Sequence, residues 1–225
     1  MEARLEPGAT FLWADEDPKR AARIKQGEIE VAPRIGHGWK SAPGGLIHDW
    51  IGAIFIPDAS LDDLSRVLED YGRYKEVYKP VIVDSHLERR VDGTECFSMR
   101  WLKKALFVTA AFDTQNESRT YRVDARRAYT ISQTISLREI QNYGKPDQRE
   151  LPPDEGNGFI WRLHVIDRYE ERDGGVYLEV EAMVLSRGIP AALRFAVSPA
   201  VKDLSRDLLK MWLEATRKAV HPKQT

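Results

Sequence analysis

Apolar residues alternate with polar ones along most of the middle of the chain, a spacing that predicts β-strands with one buried face. The predicted strands span residues 28–34, 45–57, 81–90, 95–102, 105–116, 128–141, 159–171 and 176–187. Short turns are predicted at Asp92-Gly93, Lys103-Lys104 and Asp173-Gly174. Strands joined by such turns pair antiparallel, so the pattern predicts an antiparallel sheet.

Two amphipathic helices are predicted around these strands. The first begins after Ser60, where Asp63 three positions on resembles a capping box, and it ends before Pro80. The second lies at the C-terminal end and is predicted to be kinked or to restart at Ser198-Pro199. Its apolar positions recur every three or four residues and form one stripe that faces a sheet: Leu193, Val197, Val201, Leu204, Leu208, Met211, Trp212 and Ala215.

Residues 142–158 form a long connection between two predicted strands. The segment contains three prolines, three glycines and many charges. A loop of this length inside one domain is typical of a functional or mobile segment. We therefore expect it to be among the more mobile parts of the chain and to act as a lid.

Composition places the chain among globular proteins and narrows its partners. It has 225 residues, of which 42% are hydrophobic and 31% charged, and its formal net charge is -1. There is no basic excess to attract nucleic acid. No apolar run is long enough to span a bilayer, and residues 1–5 lack the apolar core of a signal peptide. The default expectation is a cytoplasmic protein; an exported or periplasmic location stays open if a signal peptide was removed ahead of Met1.

The sequence contains no recognisable metal or cofactor motif. Cys96 is the single cysteine, and a small buried apolar role is the expected one for it. The five histidines have none of the spacings of a zinc site: His37, His48, His86, His164 and His221. Glycine-rich phosphate loops and nucleophile elbows are also missing. We therefore predict no metal and no cofactor, and the sequence does not indicate an oligomeric state.

The order of elements, together with local motifs, resembles the START-related superfamily of lipid-transfer proteins, polyketide cyclase/dehydrases and pollen-allergen-like proteins. Residues 61–71 look like the first helix of that family, Tyr78-Lys79-Pro80 like its entry into a strand, and residues 168–177 like its last hairpin. The resemblance covers roughly residues 45–220. It implies an α+β helix-grip fold, in which a curved antiparallel sheet wraps a long C-terminal helix with a cavity between them.

The resemblance also divides the chain in two. Residues 1–44 are expected to form an N-terminal extension, with a short helix between Asp17-Pro18 and Gly27 followed by a strand. This extension is not part of the usual family pattern. Residues 45–225 are expected to form the ligand-binding domain.

Polar candidates for the cavity lie on the last hairpin and on the first long strand. On the hairpin, Arg162, His164 and Glu181 share one side, opposite an apolar side that includes Trp161. That polar side either faces water or, if the hairpin twists, reaches the cavity with Arg162 paired to Glu181. On the first strand, alternation sends His48 and Trp50 one way and Asp49 the other. Asp49 is either in water at the strand end or at the mouth of the cavity.

Aromatic and apolar candidates complete the predicted ligand site. Tyr74 and Tyr78 of the first helix present an apolar ring with a polar tip and are core residues or line an entrance. Trp101 on a strand, and Leu208 and Trp212 on the last helix, are placed where they can line a cavity.

Three functions remain open at this point. One is a carrier of a hydrophobic small molecule, such as a lipid, an isoprenoid or a polyketide-like compound. Another is a polyketide cyclase/dehydratase-type enzyme that uses an acid–base pair drawn from His48, Asp49, His164 and Glu181. The third is an interaction protein with a filled core. A cavity favours the first two, and a carboxylate within hydrogen-bond reach of a histidine inside that cavity favours the enzyme.

Overall fold

The computed structural model of the chain describes residues 2–6, 8–105, 108–156, 160–187 and 194–221. The helices are α1 (Pro18–Lys25), α2 (Leu61–Leu68), α3 (Tyr74–Val77) and α4 (Arg194–Val220). The strands are β1 (Glu30–Pro33), β2 (Trp39–Ala42), β3 (Gly45–Pro57), β4 (Ile82–Val91), β5 (Thr94–Ala105), β6 (Val108–Arg122), β7 (Arg127–Gln141), β8 (Arg149–Glu150), β9 (Arg162–Arg172) and β10 (Gly175–Arg187).

The strands form one antiparallel sheet in the order β1-β3-β10-β9-β7-β6-β5-β4, with β2 paired to β3 and β8 paired to β7. The first long strand pairs with the last along its whole length, from Gly45 opposite Arg187 to Pro57 opposite Gly175. The sheet is curved and unclosed, with β1 and β4 at its two edges. Together with α4 this is the predicted α+β helix-grip architecture.

Helix α4 packs on the inner face of the sheet. Leu209 and Leu213 are buried against residues of β3 and β10. The helix approaches β3 so closely that a Cβ on Gly52 would lie 2.7 Å from Leu213 Cδ1, which explains a glycine inside this strand. One helix runs through Ser198 and Pro199, so a restart there is wrong, whereas the alternative, a kink, stays a prediction. The side chains of Val201 and Leu204, predicted on the same stripe, lie outside the described residues.

Helix α2 begins as its sequence predicts. Ser60 Oγ accepts a hydrogen bond from the Asp63 amide at 3.1 Å, and Asp63 Oδ2 accepts one from the Ser60 amide at 2.9 Å. The helix is shorter than predicted, since it ends at Leu68 and is followed by a 3-10 turn and then α3. Gly72, a poor helix former, lies within the interruption.

Two short stretches are strands where the sequence pattern does not predict them. Lys103 and Lys104 do not form a turn but continue β5, opposite Ala110 and Thr109. Lysine side chains reach water from a strand as easily as from a turn, so their charge does not distinguish the two. Residues 39–42, which lie between two predicted strands and are not predicted as a strand, form β2 along the edge of β3.

The N-terminal segment covers the outer face of the sheet. Phe11, Leu12 and Trp13 are buried there, as is Ile24 of α1, and they pack on alternate residues of β3 and on Tyr177. The outer side of the last hairpin therefore does not face water near its turn, contrary to the simpler of the two predictions. The division of the chain at residue 45 remains a prediction.

The described part of the long loop is attached to β7. The Leu151 amide donates to Glu139 O at 2.8 Å, and the Asp154 amide donates to Leu137 O at 3.0 Å. The short strand β8 pairs with the end of β7. Its expected mobility and its role as a lid remain predictions, and Asn157 and Gly158 lie outside the described residues.

Candidate ligand cavity

A cavity of about 220 Å³ lies between the inner face of the sheet and α4. Its lining is predominantly apolar and comes from most of the long strands and from the last helix. Strands β9 and β10 form an aliphatic wall because their alternate side chains point inward: Leu163, Val165, Val180, Ala182 and Val184. Helix α4 closes the opposite side with Leu208, Leu209, Met211 and Trp212.

An aromatic cluster forms one end of the cavity. Trp212 of α4 stacks on Tyr78 with ring centroids 3.5 Å apart and lies 6.2 Å from the Trp101 ring. Tyr74 meets Trp212 edge-on at 5.6 Å. Tyr74, Trp101 and Trp212 line the cavity, whereas Tyr78 lies behind them and bonds through its hydroxyl to Thr216 Oγ1 at 3.0 Å. Burial raises the pKa of both tyrosines, so they are neutral hydrogen-bonding groups at ordinary pH.

Strands β6 and β7 present a polar inner face. Asn116 Nδ2 donates to Thr114 Oγ1 at 2.9 Å, and Thr134 Oγ1 donates to Asn116 Oδ1 at 3.1 Å. Trp101 Nε1 extends this network by donating to Thr114 Oγ1 at 3.2 Å. Asn116 and Thr134 reach the cavity together with Ser132. Because these groups bond mainly to one another, they form a satisfied polar wall.

Asp167 is an isolated acid on the aliphatic wall. It lines the cavity from β9, in the row of inward residues that includes Val165. Its Oδ1 is enclosed by protein and has no hydrogen-bond partner. Burial raises the pKa of Asp167 to about 7, against a smaller opposing effect of Arg168. An acid with these surroundings is protonated for much of the time near neutral pH.

His48 is a second titratable group in the cavity. Its Nε2 lies 3.0 Å from Ser186 Oγ, and both side chains line the cavity. Burial lowers the pKa of His48, which favours the neutral imidazole. His48 pairs with Val184 on one side of β10 and Asp167 pairs with Val180 on the other. Four residues along the strand and two strand spacings across place them about 16 Å apart.

Half of the residues predicted for the site line this cavity. They come from β3, α3, β5 and α4: His48, Trp50, Tyr74, Trp101, Leu208 and Trp212. Tyr78 lies directly behind them. That these residues bind a ligand remains a prediction.

The other predicted polar residues lie on the outer face or at its rim. Arg162 does not pair with Glu181; it is exposed and pairs with Asp154 at 2.5 Å, because the loop before β9 brings that carboxylate to it. Glu181 instead bonds to Arg168 at 2.6 Å. His164 is on the same face, opposite Met183 and near Glu181.

Asp49 and Trp161 also lie outside the cavity lining. Asp49 stands on the outer face of β3, near Arg34 and Glu181, since strand alternation places it opposite to His48. Burial is the main cause that raises the pKa of Asp49, followed by Glu181. Trp161 precedes β9 and packs next to Gly45.

The most distinctive group in the cavity, Asp167, is missing from the predicted site. A signal for it exists in the sequence, because Asp167 occupies the apolar side of β9 among Leu163, Val165 and Tyr169. Asp49 likewise shares an apolar side of its strand, with Ile51 and Ala53, but that side faces the N-terminal segment and not the cavity. Asn116, Ser132 and Ser186 carried no such signal.

Within the described residues, no group of three or more His, Cys, Asp or Glu side chains is arranged to hold a metal ion. In the same part of the chain, no helix is both long enough and apolar enough to cross a membrane.

Solved structures of low sequence identity share this architecture. A STAR-related lipid transfer protein from Xanthomonas axonopodis is 16% identical, with a TM-score of 0.52 over 81% of this chain and 98% of its own. The protein TTHA0849 from Thermus thermophilus is 12% identical, with a TM-score of 0.50 over 78% of this chain and 98% of its own. No protein-family model and no curated protein sequence matches the chain. The chain thus shares the fold of these two structures, which is the helix-grip architecture predicted from the sequence.

Proposed function

We propose that the protein binds and carries a hydrophobic small molecule in the cavity between the sheet and α4. The observation that supports this most is the cavity itself, with its aliphatic wall on β9 and β10 and its aromatic end. An empty apolar cavity destabilises a protein by about 24 cal/mol per Å³, so occupation by an apolar molecule is favourable. The fold shared with a STAR-related lipid transfer protein supports the same function.

A cyclase- or dehydratase-type enzyme is the second candidate. It is supported by Asp167, because an acid with a pKa of about 7 is suited to proton transfer near neutral pH. Ring closure also needs a hydrogen-bond donor at the reacting carbonyl, and His48 is about 16 Å from Asp167. No carboxylate of the described cavity lining lies within hydrogen-bond reach of His48. The carrier function is therefore favoured.

Uptake of a neutral apolar fluorophore tests the proposal. We expect N-phenyl-1-naphthylamine to bind the full chain, stripped of apolar material, saturably and with micromolar affinity. Binding should quench tryptophan emission, since Trp50, Trp101 and Trp212 line the cavity. Ala182→Phe should weaken the affinity about tenfold or more, because the larger ring occupies the cavity from the aliphatic wall.

Met183→Phe is the matched control on the next residue of β10, whose side chain lies on the outer face opposite Asp49 and His164. It should bind the fluorophore as the wild type does. Absence of saturable uptake by the wild type would contradict the carrier function and leave the filled-core interpretation. If a natural ligand that has been bound to the protein is recovered in a chemically altered form, the enzyme function is favoured. If it is recovered unchanged, the carrier function is favoured.

A further inference from the structure

We propose that Asp167 selects ligands that carry an uncharged acceptor oxygen, such as a ketone, and that it binds this oxygen by donating a hydrogen bond from its protonated carboxyl group. This inference rests on the proposed function and adds the chemical class of the ligand and the residue that recognises it.

The position of Asp167 makes it a group that a ligand can complete. It lines the cavity, yet it has Val180 opposite it on β10 and Val165 and Tyr169 on either side of it in β9. A carboxyl group among apolar side chains costs free energy for every hydrogen bond it does not make, about 1–3 kcal/mol, and a hydrogen bond from its hydroxyl to a ligand recovers part of that cost. The neighbouring polar wall of β6 and β7 differs, because its groups already bond to one another.

The two carboxyl oxygens of Asp167 differ in their surroundings. Oδ1 is enclosed without any donor, so a negative charge on it would be unsupported. We therefore assign the proton, and the hydrogen bond to the ligand, to Oδ2. A protonated carboxyl group donates one hydrogen bond, which suits an acceptor such as a carbonyl, ether or hydroxyl oxygen.

The charged and titratable groups around Asp167 support the protonated form. Arg168 is its neighbour in β9, but it points to the outer face, where it bonds to Glu179 and Glu181. The nearby phenols have raised pKa values and stay neutral: Tyr74 and Tyr78 beside α4, and Tyr169 of β9. The residues that α4 contributes to the lining are uncharged, as are the facing residues Thr130 of β7 and Val180 of β10. His48 of β3 is about 16 Å away and its pKa is lowered.

A pair of neutral fluorophores tests this assignment with the full chain. The first is 6-propionyl-2-(dimethylamino)naphthalene, an aryl ketone, and the second is N,N-dimethyl-2-naphthylamine, which lacks the propionyl group. In the wild type, we expect the affinity for the ketone to fall about tenfold between pH 6.5 and pH 8.5, because Asp167 loses its proton. The affinity for the second fluorophore should change little.

Variants at position 167 separate the effect of hydrogen-bond donation from the effect of side-chain shape. Asp167→Asn keeps a donor that does not titrate, so it should bind the ketone equally at both pH values. Asp167→Leu should lose the preference for the ketone and still bind both fluorophores. Asp154→Asn removes an exposed carboxylate in the loop before β9, outside the cavity lining. It should keep the wild-type pH dependence of ketone binding.

The possible failures are distinguishable. If both fluorophores bind and the ketone shows the same pH profile in the wild type and in Asp167→Leu, the assignment of Asp167 is wrong and the carrier function stands. If neither fluorophore binds the wild type, the proposed function fails and the inference fails with it.

Discussion

Arg168 lies between two carboxylates on the outer face of the sheet, where the N-terminal segment covers it. Its guanidinium bonds to Glu179 Oε1 at 2.9 Å and to Glu181 Oε2 at 2.6 Å, and Glu179 also accepts a hydrogen bond from the Trp13 amide. Arg168 and Glu179 are almost completely buried. Burial raises the pKa of Glu179 to about 6 even beside the arginine, which shows how strongly this site disfavours an unpaired charge.

Removal of the arginine alone should therefore be costly. We expect Arg168→Met to lower the free energy of unfolding by about 3–5 kcal/mol, because Glu179 would remain buried without its cation. Chemical denaturation followed by circular dichroism measures this. The double variant Arg168→Met/Glu179→Gln should recover part of the loss, since the glutamine carries no charge. Equal stability of the single and double variants would contradict this account.

Residue-level prediction from sequence succeeded where only alternation was needed. The opposite directions of His48 and Asp49 follow from strand geometry and are found in the structure. What alternation does not tell is which face of a strand meets the cavity when both faces are covered. The N-terminal segment covers the outer face of the sheet, so an acid on either face can be buried. Asp49 on the outer face and Asp167 on the inner face therefore look alike in the sequence. The partner of Arg162 depended on a loop whose path the sequence does not specify.

At the scale of elements, most long strands were predictable because turns mark their ends; β2 was not, and β5 continues through the predicted Lys103-Lys104 turn. β3 has the predicted bounds, and the hairpin of β9 and β10 turns at Asp173 and Gly174, both with positive φ. The long helix before Pro80 was not predictable in its interrupted form. Tyr71, Tyr74 and Tyr78 pack in one cluster although the helix is interrupted. The helical spacing of apolar residues therefore continues through Gly72 and does not reveal the interruption.

The N-terminal segment is the element whose packing role the sequence did not indicate, and it gives a direct test. Leu12 is completely buried on the outer face of β3, whereas Leu5 of the same segment is 40% exposed. We expect Leu12→Ala to lower the free energy of unfolding by about 2–5 kcal/mol through the cavity that it leaves. Leu5→Ala should change it by about 0.5 kcal/mol or less. Similar effects of the two substitutions in denaturant titrations would mean that the segment does not hold the sheet.

At the scale of the whole molecule, both faces of the sheet bury titratable groups, so stability should depend on pH near neutrality. The groups act in opposite directions. An acid with a raised pKa binds its proton more tightly in the folded state, so its contribution to stability falls as the pH rises from the unfolded to the folded pKa. The lowered pKa values of His48 and His164 have the reverse effect, because their contribution rises with pH toward the ordinary histidine value of 6.5. The wild-type curve alone therefore does not isolate any one group.

The difference in unfolding free energy between the wild type and Asp167→Asn isolates the contribution of Asp167. The pKa of Asp167 is 3.8 in its ordinary state and about 7 in the fold, so the wild type should lose stability relative to the variant between about pH 4 and pH 7. Well above pH 7 the difference should level off, because the acid is then ionised in both states. Asp154→Asn is the matched control: Arg162 lowers the pKa of Asp154, so its contribution is complete above pH 3.8 and is lost only in stronger acid. Denaturant titrations at pH 5, 6, 7 and 8 should therefore show a sloping difference for Asp167→Asn and a flat one for Asp154→Asn. A flat difference for both would show that Asp167 is ionised in the folded protein, and that the cavity is wetter than its apolar lining indicates.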